Sequence, residues 1–549
     1  MRELPSLLGI DAGKATVPVP GGKLVVAVDV GTASARAAVF DTSGRMLARN
    51  EHPIRLWRAG PDFAEHDSQD IWNAVCIAVR QVVDACGGTP DQVAAIGFDA
   101  TCSLVIRGGN GAPVTVSPSG EPNRDTIVWL DHRALKEADE CTQTGHAVLE
   151  HAGGVMSPEM QIPKLMWLKR HLPQSWNQMA HAFDLADFLT WMATGSTVRS
   201  QCTLTCKWSY RPHVTPAWSQ DFFGQIGLDD LVEKAGLPDT AAPVANSLGQ
   251  LMPRAAAELG LSTQCIVSTG LIDAYGGAIG VLGAYASDPS LLDRHMALIA
   301  GTSSCVMTMS PQMRSSKGVW GPYLGACIPG FWINEGGQSA TGALLDHVIR
   351  VHSAGRDPTA ATHGAIIKRI GELRAAESGA LARRLHVLPD FHGNRSPLAD
   401  PQALGVVSGL AIDSSFDGLC ALYWRTAVAI ALGVRHILES LNENGQTIST
   451  LHVTGGHTRN ELLMELYADA TGCTVSEPNA EDATLLGTAM AAACAAGLYN
   501  SLPAACAAMD QGGRERKPDS AAKLQFDRDY AVFVAMHRHR AEIERISGQ

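Results

Sequence analysis

The sequence contains one short unit twice: an apolar strand, a turn that starts with Gly-Thr, and a second apolar strand. The predicted strands and turns of the two units are Leu24–Asp29, Gly31–Ser34, Arg36–Phe40, Met296–Ala300, Gly301–Ser304 and Cys305–Met309. A DTSG turn and a predicted strand at Arg45–Arg49 extend the first unit to a three-stranded meander. Such continuous apolar runs are typical of strands buried on both faces. Because the units lie about 270 residues apart, the repeat predicts two related domains that face each other.

The length of the chain also indicates two domains, since a single core rarely exceeds about 250–300 residues and this chain has 549. The Pro-, Ser- and Asp-rich segment Ala284–Arg294 is the predicted boundary between domains at residues 23–284 and 295–549. We expect residues 1–22 to form a mobile extension. Strands and helices alternate in the rest of the chain, at Ser68–Ala85, Val93–Asp99, Phe416–Leu441, Leu451–Thr454, Asn460–Thr471 and Thr484–Ala496.

The composition is that of a globular protein, with 46% hydrophobic and 18% charged residues. The formal net charge of −12, with no run of Lys or Arg, argues against nucleic acid and favours small molecules as partners. The thirteen cysteines are scattered without a CxxC pair, which favours core residues in a reducing compartment over a metal site. No apolar run reaches the roughly 18–20 residues of a membrane helix, and the N-terminus lacks a signal-peptide pattern. We therefore expect a cytoplasmic protein that does not associate with membranes.

The first Gly-Thr turn lies in DVGTASAR, directly after a predicted buried strand. Backbone N–H groups at such a hairpin tip form an anion site without a lysine. Asp29 is placed to hold Mg²⁺ directly or through water, because magnesium prefers one or two carboxylates plus phosphate oxygens. For this motif alone, an ordinary hairpin in which Asp29 is only a turn residue is an equal alternative.

Two more glycine loops follow predicted strands. The turn Gly301–Ser304 (GTSS) is a candidate phosphate loop of the second domain. In TGGHTRN, the backbone of Gly455 and Gly456 allows the close approach of a nucleobase or ribose, and Asn460 is a candidate polar anchor. One such loop carries little weight because glycine turns are common. Three loops after three apolar strands indicate a nucleotide held between two domains.

Asp273 is the candidate general base. It follows the predicted strand Cys265–Ser268 and a short turn, and it opens a Gly-rich apolar helix in GLIDAYGG. One interpretation is a helix N-cap, a position that Asp often occupies. The other is a carboxylate that accepts the proton of a substrate hydroxyl during phosphoryl transfer. A free Asp, with a pKa of about 4, is a weak base, but alignment carries most of the effect in phosphoryl transfer.

Together these motifs resemble those of the FGGY carbohydrate kinases, from about Lys23 to the mid-520s of the chain. The resemblance rests on motifs in the family's order: DVGTASARAAVFD, GFDATCS, WLDHRA, GLIDAYGG, GTSS, NEGGQSATG and GGHTRNELL. It implies an α/β fold of two actin-like (ribonuclease H-like) ATPase domains with the active site in the interdomain cleft. It also implies ATP and Mg²⁺ as cofactors and a sugar as substrate, and a homodimer would be unsurprising.

The resemblance further implies a role for each matching position, with Asp273 as the catalytic base. The implied cofactor-binding residues, among which Asp29 is the metal ligand, are Asp29, Gly31, Thr32, Arg36, Gly301, Thr302, Ser303, Gly455, Gly456 and Asn460. The implied sugar-binding residues are Asp99, Thr101, Cys102, Trp129, Asp131, Lys207, Asp273 and Glu335. For Lys207 and Glu335 the alternative is solvated surface charge, against which their apolar sequence neighbours argue. Tyr275 stands where relatives often have His, so its contact near the base is left open.

The longest motifs, including GGVMSPEMQIPKLMWLK, CTLTCKW and PDFHGNRSPLADP, are similar to those of the D-ribulokinase branch of the family. The resemblance therefore implies ATP-dependent phosphorylation of D-ribulose to D-ribulose 5-phosphate. One alternative is another sugar or polyol kinase of the family, such as an L-ribulokinase, a xylulokinase or a ribitol kinase. A second is a non-kinase ATPase module of the actin-like fold, which would give no reason for GLIDAYGG, WLDHRA and CKW to occur together.

Overall fold

The computed structural model of the protein describes residues 22–376 and 381–548. The predicted mobile extension, residues 1–22, lies outside the described residues except for its last position. The strands are β1 Leu24–Val30, β2 Ser34–Asp41, β3 Met46–Pro53, β4 Trp57–Gly60, β5 Phe63–His66, β6 Val93–Ala100, β7 Leu104–Gly108, β8 Thr126–Ile127, β9 Met179–Asp184, β10 Ser247–Gln250, β11 Ile266–Ser268, β12 Leu271–Ile272, β13 His295–Ala300, β14 Ser304–Ser310, β15 Trp320–Leu324, β16 Trp332–Gln338, β17 His386–Leu388, β18 Val406–Ser408, β19 Thr450–Thr454, β20 Thr474–Pro478 and β21 Gly513–Arg516.

Helices connect these strands and cover the sheets. They are α1 Ser68–Cys86, α2 Leu135–Gln143, α3 Gln161–His171, α4 Pro173–Gln178, α5 Leu185–Thr194, α6 Gln201–Lys207, α7 Gln220–Gln225, α8 Leu231–Lys234, α9 Pro253–Leu259, α10 Asp273–Leu282, α11 Pro289–Leu292, α12 Gly342–Val351, α13 Ala360–Ala376, α14 Phe416–Glu443, α15 Glu461–Thr471, α16 Ala483–Ala495, α17 Leu502–Met509 and α18 Lys523–Ser547. Short 3-10 turns occur at Pro90–Gln92, Ala147–His151, Gly283–Ser287 and Gly456–Arg459.

The first large sheet has the strand order β10-β11-β6-β1-β2-β3, and β12 also pairs with β6. Strands β1, β2 and β3 are consecutive antiparallel neighbours, whereas β1 and β6 are parallel. The predicted three-stranded meander is confirmed, although its third strand runs farther than predicted, to Pro53. Every residue of β1 is buried, as expected for a strand that is covered on both faces.

The second large sheet has the order β15-β16-β14-β13-β19-β20-β21. Its segment β16-β14-β13-β19-β20 repeats the segment β3-β2-β1-β6-β11 of the first sheet, with the same parallel and antiparallel pairings. The duplication predicted from two Gly-Thr turns is therefore confirmed by the sheet topology.

A five-stranded sheet, β4-β5-β8-β7-β9, is inserted in the first half of the chain. Strand β8 ends at Ile127, two residues before Trp129, and β7 begins directly after the DATCS motif. The inserted sheet thus positions two of the predicted sugar-binding segments.

Helices α10 and α16 join the two halves. Helix α16 of the second half packs on β1 and β6 of the first, while α10 of the first half packs on β13 of the second. A Cβ atom on Gly280 would lie 2.1 Å from the carbonyl oxygen of Ala483, and one on Gly487 would lie 2.0 Å from that of Gly276. Only glycine permits such backbone contact. A single hydrophobic cluster therefore runs across the predicted boundary segment, which forms a 3-10 turn and α11.

Helix α14 corrects one prediction. By length and composition it could cross a membrane, although no segment of that kind was expected. Of its most apolar 18-residue window, 78% is buried inside the fold, and residues such as Tyr423 and Trp424 belong to the hydrophobic cluster of the second half. These contacts are those of a core helix.

Candidate active site

Three carboxylates meet where neighbouring parallel strands of the first sheet end. Asp29, near the end of β1, pairs in register with Asp99, near the end of β6. Asp273 directly follows β12, which pairs with the same end of β6. Ligand sites of open α/β sheets lie beyond the carboxyl ends of their strands. We refer to these three residues as the acidic edge.

Asp29 is 3% exposed, and its Oδ2 accepts a 2.7 Å hydrogen bond from Nη1 of Arg36. Arg36 stands directly opposite Asp29 on β2. Burial raises the pKa of Asp29, and the positive charge of Arg36 opposes that shift. The two predicted phosphate-loop residues are thus an ion pair.

Asp99 is completely buried, and its Oδ2 accepts a 2.6 Å hydrogen bond from the hydroxyl of Thr488 on α16. Burial, and then the negative charge of Asp29, raises the pKa of Asp99 well above its usual range. Asp99 has no exposed surface in this structure, and its predicted contact with the sugar stays a prediction. Asp99 instead connects the acidic edge to a helix of the second half.

Asp273 is the first residue of α10, and it is half-buried. Its Oδ1 accepts a 2.7 Å hydrogen bond from the backbone N–H of Ala274. The N-cap of α10 is Ile272 rather than Asp273, so the N-cap interpretation is wrong by one residue. Burial and the negative charge of Asp29 raise the pKa of Asp273 to about 6. Asp273 is therefore a stronger base than the ordinary Asp that the sequence predicts.

The first Gly-Thr turn contacts the predicted sugar-side tryptophan. The N–H of Gly31 donates to the carbonyl of Ser34 at 3.0 Å and closes the turn. The indole Nε1 of Trp129 donates to Oγ1 of Thr32 at 2.9 Å, and the backbone N–H of Trp129 donates to Oγ of Ser103 at 3.2 Å. Thr32 and Trp129 are both half-buried, so each keeps some surface for a ligand.

In the second half, the two predicted nucleotide loops contact each other. The carbonyl oxygen of Gly301 accepts hydrogen bonds from the N–H of Gly342 at 3.0 Å and from Nε2 of His457 at 2.9 Å. Gly455 has a φ of 91°, and a Cβ atom there would lie 2.5 Å from the carbonyl oxygen of Ala300. Glycine is therefore required where this loop passes the end of β13.

Some of the other residues in these loops are accessible to a ligand, whereas Asn460 forms hydrogen bonds within the protein. Thr302 and Gly456 are exposed and Ser303 is half-buried, so a ligand can reach them. Asn460 caps α15, because its Oδ1 accepts hydrogen bonds from the N–H groups of Leu462 and Leu463 at 3.1 and 3.3 Å. The oxygen of Asn460 is thus occupied by the helix cap, and its predicted contact with the nucleotide stays a prediction.

Glu335 on β16 is the centre of a buried ionic cluster. The Nζ of Lys207 lies 3.5 Å from its Oε2, the hydroxyl of Tyr275 donates to Oε2 at 3.1 Å, and Arg395 contacts Oε1. Lys207 and Glu335 are each only 3% exposed, so the surface-charge alternative is wrong. Burial favours a higher pKa for Glu335, but the charges of Lys207 and Arg395 hold it below its usual range. Tyr275, which donates to Glu335, is two residues after Asp273 on α10, so the cluster lies beside the first turn of that helix.

The remaining predicted sugar ligands differ in accessibility. Thr101 and Cys102 are each 7% exposed, and the hydroxyl of Thr101 lies 3.2 Å from that of Ser103. Asp131 is completely buried; its Oδ2 accepts hydrogen bonds from the N–H of Ala64 at 2.6 Å and from Arg133 at 2.7 Å. The carboxylate of Asp131 is thus bonded to the inserted sheet and to Arg133, and its predicted sugar contact stays a prediction.

Sequence reasoning missed three side chains of the site: Thr488, Arg395 and Trp320. The Trp320 ring centroid lies 4.3 Å from Nζ of Lys207 and 4.2 Å from Cζ of Arg395. Both Trp320 and Arg395 lie in long motifs, GVWGPY and PDFHGNRSPLADP. The motifs indicate that both segments belong to the resemblance, but the sequence does not show that Trp320 and Arg395 meet in one cluster.

Among residues 22–376 and 381–548, no group of three or more His, Cys, Asp or Glu side chains is arranged to hold a metal ion. Magnesium needs fewer protein ligands where phosphate oxygens complete its shell. Asp29 fits the role of a magnesium ligand that acts through a bound water, because its Oδ2 already accepts a hydrogen bond from Arg36.

The duplicated sheets, with glycine loops at the strand ends of both and the acidic edge at one, define a two-domain protein of the actin-like ATPase fold. The xylulose kinase from Rhodospirillum rubrum has this fold: its structure superposes with a TM-score of 0.77 at 21% identity, covering 95% of this chain and 99% of that one.

Family models match both halves: the N-terminal domain of the FGGY family of carbohydrate kinases over residues 24–280, and its C-terminal domain over residues 296–496. An FGGY carbohydrate kinase domain-containing protein from Xenopus laevis is 42% identical, covering 95% of this chain and 98% of its own. A D-ribulokinase from Saccharomyces cerevisiae is 38% identical, covering 87% of this chain and 72% of its own. The chain belongs to the FGGY family of carbohydrate kinases and is a sugar kinase, which excludes the non-kinase alternative.

Proposed function

We propose that this kinase transfers the γ-phosphoryl group of ATP to the terminal hydroxyl of a ketopentose, and that the ketopentose is D-ribulose. The observation that carries the proposal is the position of Asp273, a half-buried carboxylate of raised pKa beside the buried cluster of Lys207 and Glu335. The similarity to the Saccharomyces D-ribulokinase supports the choice of sugar.

Asp273 accepts the proton of the sugar hydroxyl while the hydroxyl oxygen forms a bond to the γ-phosphorus. The bond between that phosphorus and the β,γ-bridging oxygen breaks, and ADP leaves with this oxygen. A pKa of about 6 keeps the carboxylate ionised at neutral pH and makes it a better proton acceptor than an ordinary Asp. Positioning and electrostatic stabilisation supply the rest of the acceleration, as is usual in phosphoryl transfer.

The glycine loops divide the binding of the nucleotide. The Gly-Thr turns at Gly31 and Gly301 offer backbone N–H groups to phosphate oxygens from opposite halves. The backbone of Gly455 and Gly456 is exposed, so the adenosine can approach it closely. Asp29 would hold Mg²⁺ through a water, and the ion would supply positive charge to the phosphates.

The sugar lies between Trp129, Asp273 and the Lys207–Glu335 cluster in this proposal. A buried site that pairs each hydroxyl rejects an analogue with a missing or inverted hydroxyl, because a polar group is then left unpaired. Such pairing explains how one fold serves several sugars.

A coupled ADP-release assay tests the proposal with D-ribulose, L-ribulose, D-xylulose, ribitol and glycerol at saturating MgATP. We expect ADP release to be strongly sugar-dependent and kcat/KM to be highest for D-ribulose. A higher kcat/KM for any other member of the panel would show that the substrate assignment is wrong.

A further inference from the structure

The loop that carries Arg395 is fixed on both sides of this residue. Asp390 accepts a hydrogen bond from Arg540 of α18 at 2.5 Å and another from Nδ2 of Asn394 at 2.9 Å. The backbone of Asn394 pairs twice with Asp400, at 2.8 Å each. Oγ of Ser396 donates to the carbonyl of Gly318 at 2.8 Å. Because its neighbours are anchored, Arg395 projects from a rigid support.

The Arg395 side chain, 15% exposed, reaches the sugar-side cluster. One terminal nitrogen contacts Glu335, the other lies 3.4 Å from Sγ of Cys305, and the guanidinium lies over Trp320. Its Nε is buried and has no hydrogen-bond partner among the described residues. A buried N–H of a charged group without an acceptor is costly, so contacts within the protein alone do not account for the placement of this side chain, and a ligand contact falls to the terminal nitrogens.

Glu335 is not free to accept hydrogen bonds from a ligand, because its two oxygens already contact the donors of Lys207, Tyr275 and Arg395. The unused hydrogen-bonding capacity of the cluster is on the cations. An ammonium has three N–H donors and a guanidinium has five, and neither can accept. The cluster therefore presents donors to the cleft, whereas Asp273 presents an acceptor.

We propose that Arg395 is a specificity-determining residue that, together with Lys207, binds the carbonyl oxygen and the adjacent hydroxyl at the keto end of the sugar. The inference rests on the proposed function, and it adds that the second half of the chain recognises the end of the sugar that does not react. The reacting hydroxyl lies at Asp273, which accepts its proton.

A carbonyl oxygen matches this donor surface because it only accepts hydrogen bonds. The corresponding alditol has a hydroxyl at that carbon, which also has a proton to donate and finds no free acceptor in the cluster. The site should therefore prefer a pentulose to the pentitol of the same configuration, and Arg395 should provide much of that preference.

The test compares kcat/KM for D-ribulose and ribitol in the wild-type protein and in the Arg395→Met and Arg395→Lys variants. Charge-assisted hydrogen bonds contribute more than neutral ones. We expect Arg395→Met to lower kcat/KM about 100-fold for D-ribulose and about 10-fold for ribitol, so that the preference falls about 10-fold. Arg395→Lys keeps the charge but not the planar fork, and should recover part of the preference.

The matched control is Arg374→Met. Arg374 also pairs with a glutamate, Glu465, at 2.6 Å and lies 4.4 Å from the ring of Trp424, but it is on α13, outside the cleft. This variant should leave the preference for the pentulose unchanged. Thermal melting of all variants, and calorimetric titration with sugar in the absence of nucleotide, separate loss of folding from loss of sugar binding.

An equal loss for both sugars in a folded Arg395→Met protein would overturn the inference, since it would show a purely structural role. So would a wild-type protein that prefers the pentitol to every pentulose. If the wild type prefers a pentulose other than D-ribulose, the proposed substrate is wrong. The Arg395 inference is then decided on that pentulose and its own pentitol.

Discussion

The two large sheets share one topology but end in different chemistry. In the first sheet, Asp29 of β1 stands beside Asp99 of β6. At the equivalent register of the second sheet, Ile299 of β13 stands beside Thr454 of β19. A Gly-Thr turn follows β1 and β13 alike. The backbone that can bind phosphate is thus present twice, whereas the buried carboxylates are present once.

This difference follows from the charges of the reactants. A buried carboxylate is costly unless it is paired, so we expect it only where the reaction needs a proton acceptor or a cation ligand. In the proposed function the phosphates meet both Gly-Thr turns. At the first sheet Arg36 and Mg²⁺ would offset the carboxylates, whereas at the second sheet a carboxylate would only repel the phosphates. In the proposed function the first sheet therefore carries the base, and the second sheet, with Ile299 and Thr454 at the equivalent positions, holds the nucleotide.

The largest expected effect is that of removing the base at the first sheet. In Asp273→Asn the amide has the size of the carboxylate but cannot accept a proton. We expect kcat to fall about 10²–10⁴-fold, while sugar affinity, measured by calorimetric titration, stays close to that of the wild type. Turnover near the wild-type rate would remove Asp273 from the mechanism.

The next largest effect is expected from substitutions at the equivalent positions Asp29 and Ile299 of the two sheets. Asp29→Asn should weaken the dependence of activity on Mg²⁺, with the apparent Mg²⁺ affinity reduced roughly 10–100-fold, as for other residues that orient metal-bound water. The matched change in the second sheet, Ile299→Val, should leave Mg²⁺ affinity unchanged. Equal Mg²⁺ titrations for wild type and Asp29→Asn would show that the acidic edge does not serve the metal.

A smaller effect should come from the link between the two halves. Thr488→Val removes the hydroxyl that donates to Asp99, and should lower kcat about tenfold without changing KM for the sugar. Thr488→Ser retains the hydroxyl and should restore kcat. Thr484, one turn earlier on the same helix, contacts α10 near Gly277, and Thr484→Val is the control. A rise in the sugar KM, or no rescue by Ser, would contradict this positioning role.

The sequence allowed prediction of those features that local signals determine. Apolar runs and Gly-Thr turns predicted β1, β2, β13 and β14, and the order of the motifs predicted the fold and the kinase class. For Asp99 and Asp131 a motif indicates only which segment lies near the cleft. The burial of their carboxylates, and their hydrogen bonds to Thr488 and Ala64, depend on tertiary packing.

Contacts between distant positions were not predictable in this way. Thr488 meets Asp99 across 389 positions, and Arg395 meets Glu335 across 60. Each pairing depends on how helices and loops pack in three dimensions, for which the sequence contains no local signal. The raised pKa of Asp273 has the same origin, since it depends on burial and on Asp29, which is far away along the chain.

The pH dependence of the reaction rate with the preferred sugar and MgATP both well below their KM values tests the role of the acidic edge most directly. Asp273 must be ionised to accept the proton, so activity is lost as the pH falls through its pKa in the free enzyme. Because burial and Asp29 raise that pKa to about 6, we expect an acid limb with a midpoint near this pH. A limb at about pH 4, the ordinary value for Asp, would contradict the account.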